Sequence, residues 1–391
     1  MLQAAAVQTN QRSIPLDLLR GWIMILMALD HASFFIAKIH PMEYWGYPLP
    51  EYPGALSFFT RYVTHLSAPG FLFLLGAGMT WYANSRRLFG WSESCIARHF
   101  AMRGATLILI QQILENPAWL IGALGAEVPI DRYGQPGMPG GGGQPFFGVG
   151  VLFALGGSMI LWGVFLRLQT IIVLLVSLAA VLITQWLTPS AEQVTIQYPL
   201  VIRLLLIPGH SGHWAVIYPL IPWFGVAGLG IVFGRLLLTE QTKTYQWSVG
   251  IGILFLALFT AIQINANRTQ LQYGDQICWI GFLSVTKYPP SLAFLSVTLG
   301  LNLIFLFVFS RIQTFFTKWA KPIITFGHTA LFFYITHLYV YAVIGMFFPI
   351  GMTLAQMYPF WLFGLVILYP LCRWYEGIKQ TKAPNSLWRI L

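Results

Sequence analysis

Charge is what this chain has least of. Asp, Glu, Lys and Arg together make up 9% of its 391 residues, against about a quarter in a soluble globular protein, so it cannot build an ordinary water-facing surface. Acidic residues are rarer still, 12 against 22 Lys and Arg. Cysteine is also sparse: Cys95, Cys278 and Cys372 are an odd number at spacings that imply neither a disulfide framework nor a metal motif. With no HExxH or CxxC pattern, no metal is expected. Apolar residues fill the space, at 57% of the chain with a mean hydropathy of +0.68, and the chain reads as an integral membrane protein. A net charge of +10 would point to nucleic acid in a soluble domain. Here the basic residues are thinly spread between apolar runs and mark loops instead, so nucleic acid is not an expected partner.

Runs of about 20 apolar residues, enough to cross about 30 Å of hydrocarbon, predict about ten spans. They lie near 16–38, 55–82, 97–123, 146–167, 169–187, 214–238, 247–264, 290–310, 323–348 and 357–375. With the N-terminus placed in the cytoplasm, the even-numbered loops and the C-terminal tail hold thirteen Lys and Arg, and the opposite side holds six, Arg61 among them. That asymmetry predicts both termini inside and an even number of spans. The opening "MLQAAAVQTNQR" lacks the basic start and the cleavage site of a signal peptide, so the first span is expected to stay in the mature protein. No internal repeat and no long linker interrupts the chain, which predicts one all-α polytopic domain over residues 1–391.

Against this background the first span is unusual, because "IPLDLLRGWIMILMALDHASFFIAKI" carries Asp17, Arg20, Asp30, His31 and Lys38. Arg20 and His31 are eleven residues apart, close to three helical turns, and so share a face. An ionisable group in mid-bilayer costs a few kcal/mol or more, so such a face turns toward protein or water. An ion pair at the membrane edge accounts for Asp17 and Arg20 without any ligand. His31 lies about 10 Å below the outer surface, at 1.5 Å per residue. His65 lies at a similar depth, His337 somewhat deeper, and Glu115 near the outer end of its own span. Each alone is an ordinary buried polar group; together they predict one cavity with acid/base capacity.

Glycine-rich stretches predict less. "MPGGGGQPFFGVG" lacks the Lys and Ser/Thr of a phosphate loop and reads as a flexible outer loop. "FLFLLGAGMTW" and "GVAGLGIVFGR" set small residues along spans, which predicts close helix packing.

The segments "LDLLRG", "MALDH", "THLSAPGFLFLLGAG", "YPLIPWFGVAGLGIVFGR", "KYPPSLAFLSVTLG" and "FGHTALFFYITHLY" resemble the bacterial branch of the heparan-alpha-glucosaminide N-acetyltransferase catalytic-domain family. The likeness runs from about residue 12 to 375. It implies a multi-helix enzyme of the bacterial cytoplasmic membrane that takes an acyl group, acetyl foremost, from cytoplasmic acyl-CoA and delivers it to a saccharide or glycolipid on the far side. The spacing of Asp17, Arg20 and His31 is also similar to the first helix of the wider membrane acyltransferases, whose histidine is held to be catalytic. In the animal branch that position looks to be asparagine, and the catalytic histidine lies in the following loop, where this chain has His40. The resemblance therefore implies His31 as first choice and His40 as second.

Neutral imidazole can serve as general base or as acyl carrier in such a transfer. Asp30 points about 100° away from His31 around the helix, so Glu115 or His65 is the better candidate to orient the ring. Arg20 with Asp17, Arg98 and Arg103 are candidates for the CoA phosphates, although positive-inside anchoring explains the arginines equally well. Asp30, Lys287 and His337 are candidates on the acceptor side. Partners are then membrane lipids and the acceptor, with a homodimer left open. The rival readings are a proton-coupled transporter of a small solute and a non-catalytic glycan- or lipid-binding relative.

Overall fold

The computed structural model describes residues 13–142, 147–266 and 278–382. Part of the glycine-rich loop and Arg12, Arg268 and Arg389 of the charge count lie outside the described residues.

The first helix, α1 (Ile14–Ala32), starts behind Ser13 with Pro15 in its first turn, where the missing N–H of proline costs nothing. It runs on as a π-helical turn, Ser33–Ala37, and stops at Lys38, which takes the left-handed conformation with φ 59°. α2 (Ala55–Thr64) and α3 (Ser67–Leu88) form one crossing broken at His65 and Leu66. α4 (Glu93–Ile110) passes through a second π-helical turn, Gln111–Glu115, into α5 (Asn116–Leu124). α6 (Val151–Phe165) and α7 (Thr170–Leu187) follow, then the short α8 (Leu200–Leu205). α9 (Leu220–Thr239), α10 (Gln241–Asn265), the short α11 (Cys278–Leu283) and α12 (Leu292–Trp319) come next. α13 (Lys321–His328), α14 (Ala330–Met346) and α15 (Leu354–Thr381) complete the bundle.

Each of the ten expected apolar segments contains a helix, although those near 146–167 and 214–238 begin in short strands, Phe147–Val149 and Trp214–Val216. Among the described residues eight helices are long and apolar enough to cross a membrane, and the pair α13 and α14, bent by 100° at Thr329, is apolar enough only when taken together. The expected span near 146–167 is the shorter α6. An all-α polytopic bundle is therefore correct, with fewer full-length straight spans than the sequence implied.

Burial divides the spans into an inner and an outer ring. The most apolar window is 78% buried in α1 and in the α2–α3 crossing, but 28% in α7 and 22% in α10 and α15. α1 touches α2, α3, α12, α13, α14 and α15 and forms the axis of the bundle. α7, α10 and α15 carry large exposed side chains such as Leu175, Trp186, Leu254 and Val366, as a lipid-facing surface requires.

Glycine lets the inner helices touch backbone to backbone. A Cβ at Gly76 of α3 would strike the Ala227 carbonyl of α9, and one at Gly230 of α9 would strike the Phe73 carbonyl of α3, so the two small-residue stretches do pack together. One end of the bundle is capped by a small sheet in the order β1 (Phe147–Val149), β3 (Trp214–Val216), β2 (Gly209–Ser211). β1 runs parallel and β2 antiparallel to β3, with Val149 and Gly209 both opposite Val216. At the other end, the Ser13 hydroxyl meets the Tyr245 phenol and Asp17 meets His328, which also contacts Glu376. The beginning of α1 and the end of α15 thus lie on the same side of the bundle.

Candidate active site

Two cavities penetrate the inner ring from opposite ends of α1. The first, of about 460 Å³, lies under the sheet and is lined by Asp30, His31, His40, Glu115, Trp119 and Lys287 among others. The second, of about 350 Å³, lies at the start of α1 and is lined by Arg20, Tyr82, Arg103, His328 and Lys379 among others. Phe71, Val151 and Tyr334 line both. These three side chains stand between the two cavities.

In the first cavity, His31 sits in the last turn of α1. Its Nδ1 lies 2.6 Å from Nε2 of His337 on α14, and the Trp119 ring stands across it at 4.9 Å. His40 follows the π-helical turn and is held through its backbone N–H on the Asp131 carbonyl, 2.8 Å away. Burial pushes its pKa down to about 4, so the ring is neutral at physiological pH. The same Trp119 packs 6.2 Å from His40, so that one indole contacts both imidazoles. Glu115 ends the second π-helical turn and is buried, within hydrogen-bonding reach of Tyr334 and Trp119, with its Oε2 unpartnered among the described residues. Both π-helical turns thus sit where a side chain is delivered to the cavity, a frequent use of that distortion.

The glycine-rich loop forms part of the wall. Gly148 accepts hydrogen bonds on its carbonyl from Gln111, Gln112 and Asn116 at 2.9 to 3.1 Å. Its described parts, Gly137 and Met138 on one side and Gly148 to Val151 on the other, line the cavity. The expected flexible outer loop is, in its described parts, pinned cavity lining, because β1 pairs with β3.

Several sequence-predicted residues are elsewhere. His65 does not line the cavity: the break between α2 and α3 turns it away, and its Nε2 lies 3.3 Å from Glu43. His337 lies behind His31, fully buried, and does not line the first cavity. Arg98 is exposed and lines neither cavity, because five residues of helix set it about 140° from Arg103. Asp17 binds Arg20 at 2.7 Å and thereby holds the Arg20 guanidinium at the rim of the second cavity. Lys287 lines the first cavity with its ammonium 5.1 Å over the Tyr288 ring.

Sequence reasoning missed a buried ion network. Arg61, counted as a loop charge, is 3% exposed on α2. Its Nε and Nη2 donate to the two Glu43 carboxylate oxygens, each at 2.8 Å, and its Nη1 donates to Asp30 at 2.6 Å. Thr64 adds a hydrogen bond to Asp30 at 3.0 Å and Tyr52 one to Glu43 at 3.3 Å. The guanidinium holds the Glu43 carboxyl well below the usual carboxylate range despite its burial. The Glu43 carbonyl in turn accepts from the backbone N–H groups of Lys287 and Tyr288, both at 3.0 Å. One guanidinium thereby ties α1, α2 and two loops into the wall of the cavity. Also missed were Trp119, Tyr334, His328 and Lys379; the last two read as ordinary charges near helix ends.

Among the described residues no group of three or more His, Cys, Asp or Glu side chains gathers as a metal site. Residues 12–260 match the family described as heparan-alpha-glucosaminide N-acetyltransferase, catalytic. No curated protein matches the chain. The matched range contains Arg20, His31, His40, Arg103 and Glu115, while Lys287, His328, His337 and Lys379 lie beyond it.

Proposed function

The chain belongs to the heparan-alpha-glucosaminide N-acetyltransferase catalytic family, and from that premise we propose that it carries an acyl group, acetyl in the family's own description, across the membrane. The donor is acyl-CoA at the Arg20 end, and the acceptor is the amine or hydroxyl of a saccharide or glycolipid at the His31 end. On this reading the whole chain is one acyltransferase unit, its Arg20 end faces the cytoplasm, and its membrane is the bacterial inner one. The observation that carries the proposal is the pair of cavities that share Phe71, Val151 and Tyr334 in their walls.

Eleven residues of helix separate Arg20 from His31, a rise of about 16 Å, comparable to the reach of an extended pantetheine arm. Arg20, Arg103 and Lys379 supply cationic donors for the CoA phosphates. The arm passes Phe71 and Tyr334 and brings the thioester to His31. There the acceptor nitrogen or oxygen forms a bond to the acyl carbon, and the carbon–sulfur bond breaks. His31 takes the acceptor proton and returns it to the leaving sulfur, so that CoA departs as the thiol. Asp30, Lys287 and Arg132 flank the acceptor space and offer both signs of charge for orienting a polar head.

Incubation of the detergent-solubilised protein with radiolabelled acetyl-CoA and an amino sugar tests this directly. Label on the sugar, or slow release of labelled acetate, is the expected result; a transporter or a binding protein produces neither. In steady-state kinetics, His31→Ala should abolish turnover while leaving CoA affinity nearly intact. Loss of turnover in His40→Ala together with its retention in His31→Ala would move the base to the loop histidine.

A further inference from the structure

Among the described residues the His31 side chain has one hydrogen bond, to another histidine, and the arrangement determines which nitrogen of each ring carries a proton. His337 lies on α14 with its Nδ1 2.9 Å from the Phe333 carbonyl one turn earlier. A carbonyl only accepts, so Nδ1 of His337 is protonated. In the neutral ring Nε2 is then an acceptor, and the atom facing it at 2.6 Å is Nδ1 of His31. That nitrogen must be the donor. The ring centroids lie 4.9 Å apart with the planes within 15° of each other, a separation that fits an end-to-end, in-plane N–H···N hydrogen bond rather than a face-to-face stack.

Neutral His31 consequently carries its proton on Nδ1 and its lone pair on Nε2; among the described residues the side chain's hydrogen bond is the one through Nδ1, and the ring lines the first cavity. The opposite assignment needs a doubly protonated His337 donating to His31. The surroundings of His337 do not offset that charge: main-chain carbonyls of α14 and the rings of Phe333, Tyr334 and Tyr341, 5.4 to 6.2 Å away, are its neighbours, and among the described residues no carboxylate contacts it. His337 is fully buried, where an unpaired cation is costly.

We propose that His337 is a positioning residue that sets the tautomer of His31 and holds its ring so that Nε2 faces the acceptor. The place is the one a carboxylate occupies behind the histidine of hydrolase triads, where a wrong tautomer is costly to turnover. Here the orienting group is a neutral imidazole fixed by a main-chain carbonyl. His40, whose Nδ1 is buried without a partner among the described residues, has no equivalent support.

The inference rests on His31 acting as the base, and the test separates the two claims. In protein labelled with ¹⁵N-histidine, with the His31 resonances assigned by comparison with His31→Gln, His31 of the wild type should show a protonated Nδ1 and an unprotonated Nε2 at neutral pH. His337→Gln keeps an acceptor oxygen for Nδ1–H and should retain that pattern and most of the turnover. His337→Leu removes the acceptor; it should shift His31 toward the Nε2–H tautomer and lower kcat by about a hundredfold or more while KM for acetyl-CoA stays within about twofold. An Nε2–H tautomer in the wild type overturns the inference, and so does full kcat in His337→Leu alongside an inactive His31→Ala. Full turnover in His31→Ala overturns the base assignment instead, whatever the spectra show.

Discussion

Replacing Arg61 by Met tests how much of the cavity wall depends on one side chain. Met keeps most of the packing volume and removes the charge with all of its donors. The three charge-assisted hydrogen bonds of 2.6 to 2.8 Å to Glu43 and Asp30 are lost together, leaving two carboxylates close to one another. Glu43 is 2% exposed and among the described residues would keep only Tyr52 and His65 as polar side-chain neighbours. Removing one partner of a buried ion pair costs about 3–5 kcal/mol, and because both carboxylates lose their counter-charge the upper part of that range is expected. At about 2 °C or somewhat less per kcal/mol for a chain of this size, melting should fall by about 5–10 °C. Thermal unfolding in detergent, followed by fluorescence-detected size exclusion, measures it. The triple variant Arg61→Met, Asp30→Asn, Glu43→Gln, which leaves no charge unpaired, should recover a substantial part of the loss. A single variant melting within about 1 °C of the wild type, or a triple variant no better than the single, would refute the reasoning.

Arg103→Ala should raise KM for acetyl-CoA by about tenfold or more with a smaller effect on kcat, as loss of a hydrogen bond to a charged group implies; Arg98→Ala, on the exposed face, should change neither. Gly230→Leu drives a side chain into the Phe73 backbone of α3 and should prevent recovery of monodisperse protein, whereas Gly250→Leu, which meets open space, should be tolerated. His40 titrates near pH 4 when folded because it is buried, below its unfolded value of about 6.5. Protonation therefore favours the unfolded chain, and its stabilising contribution is complete above about pH 6.5 and lost as pH falls toward 4. Between pH 7 and 5 the wild type should accordingly lose more thermal stability than His40→Gln.

Hydropathy and charge carried the bundle, because each lipid-crossing helix must be long and apolar by itself. They did not carry the turn at Thr329, since a continuous apolar run reads the same whether straight or bent by 100°. Depth along a helix correctly grouped His31 with Glu115 but misled for His65, because depth gives height and not azimuth, and the α2–α3 break reorients that side chain. His337 shares the depth of the site yet faces α1 rather than the cavity. The Arg61 network was not legible at all: Asp30, Glu43 and Arg61 come from a helix, a loop and another helix, with no shared period to join them. Arg98 was separable in principle, since its helical angle to Arg103 rules out a common face.

The central claim is that one acyl path joins the two cavities across the membrane, and sidedness tests it most directly. Proteoliposomes with an amino sugar trapped inside and radiolabelled acetyl-CoA outside should label the trapped sugar wherever the Arg20 end faces outward. Tyr334→Trp, which enlarges a side chain between the two cavities, should suppress that labelling while leaving CoA binding in place. Labelling confined to sugar on the same side as the donor, with none in the lumen, would contradict a path through Phe71, Val151 and Tyr334.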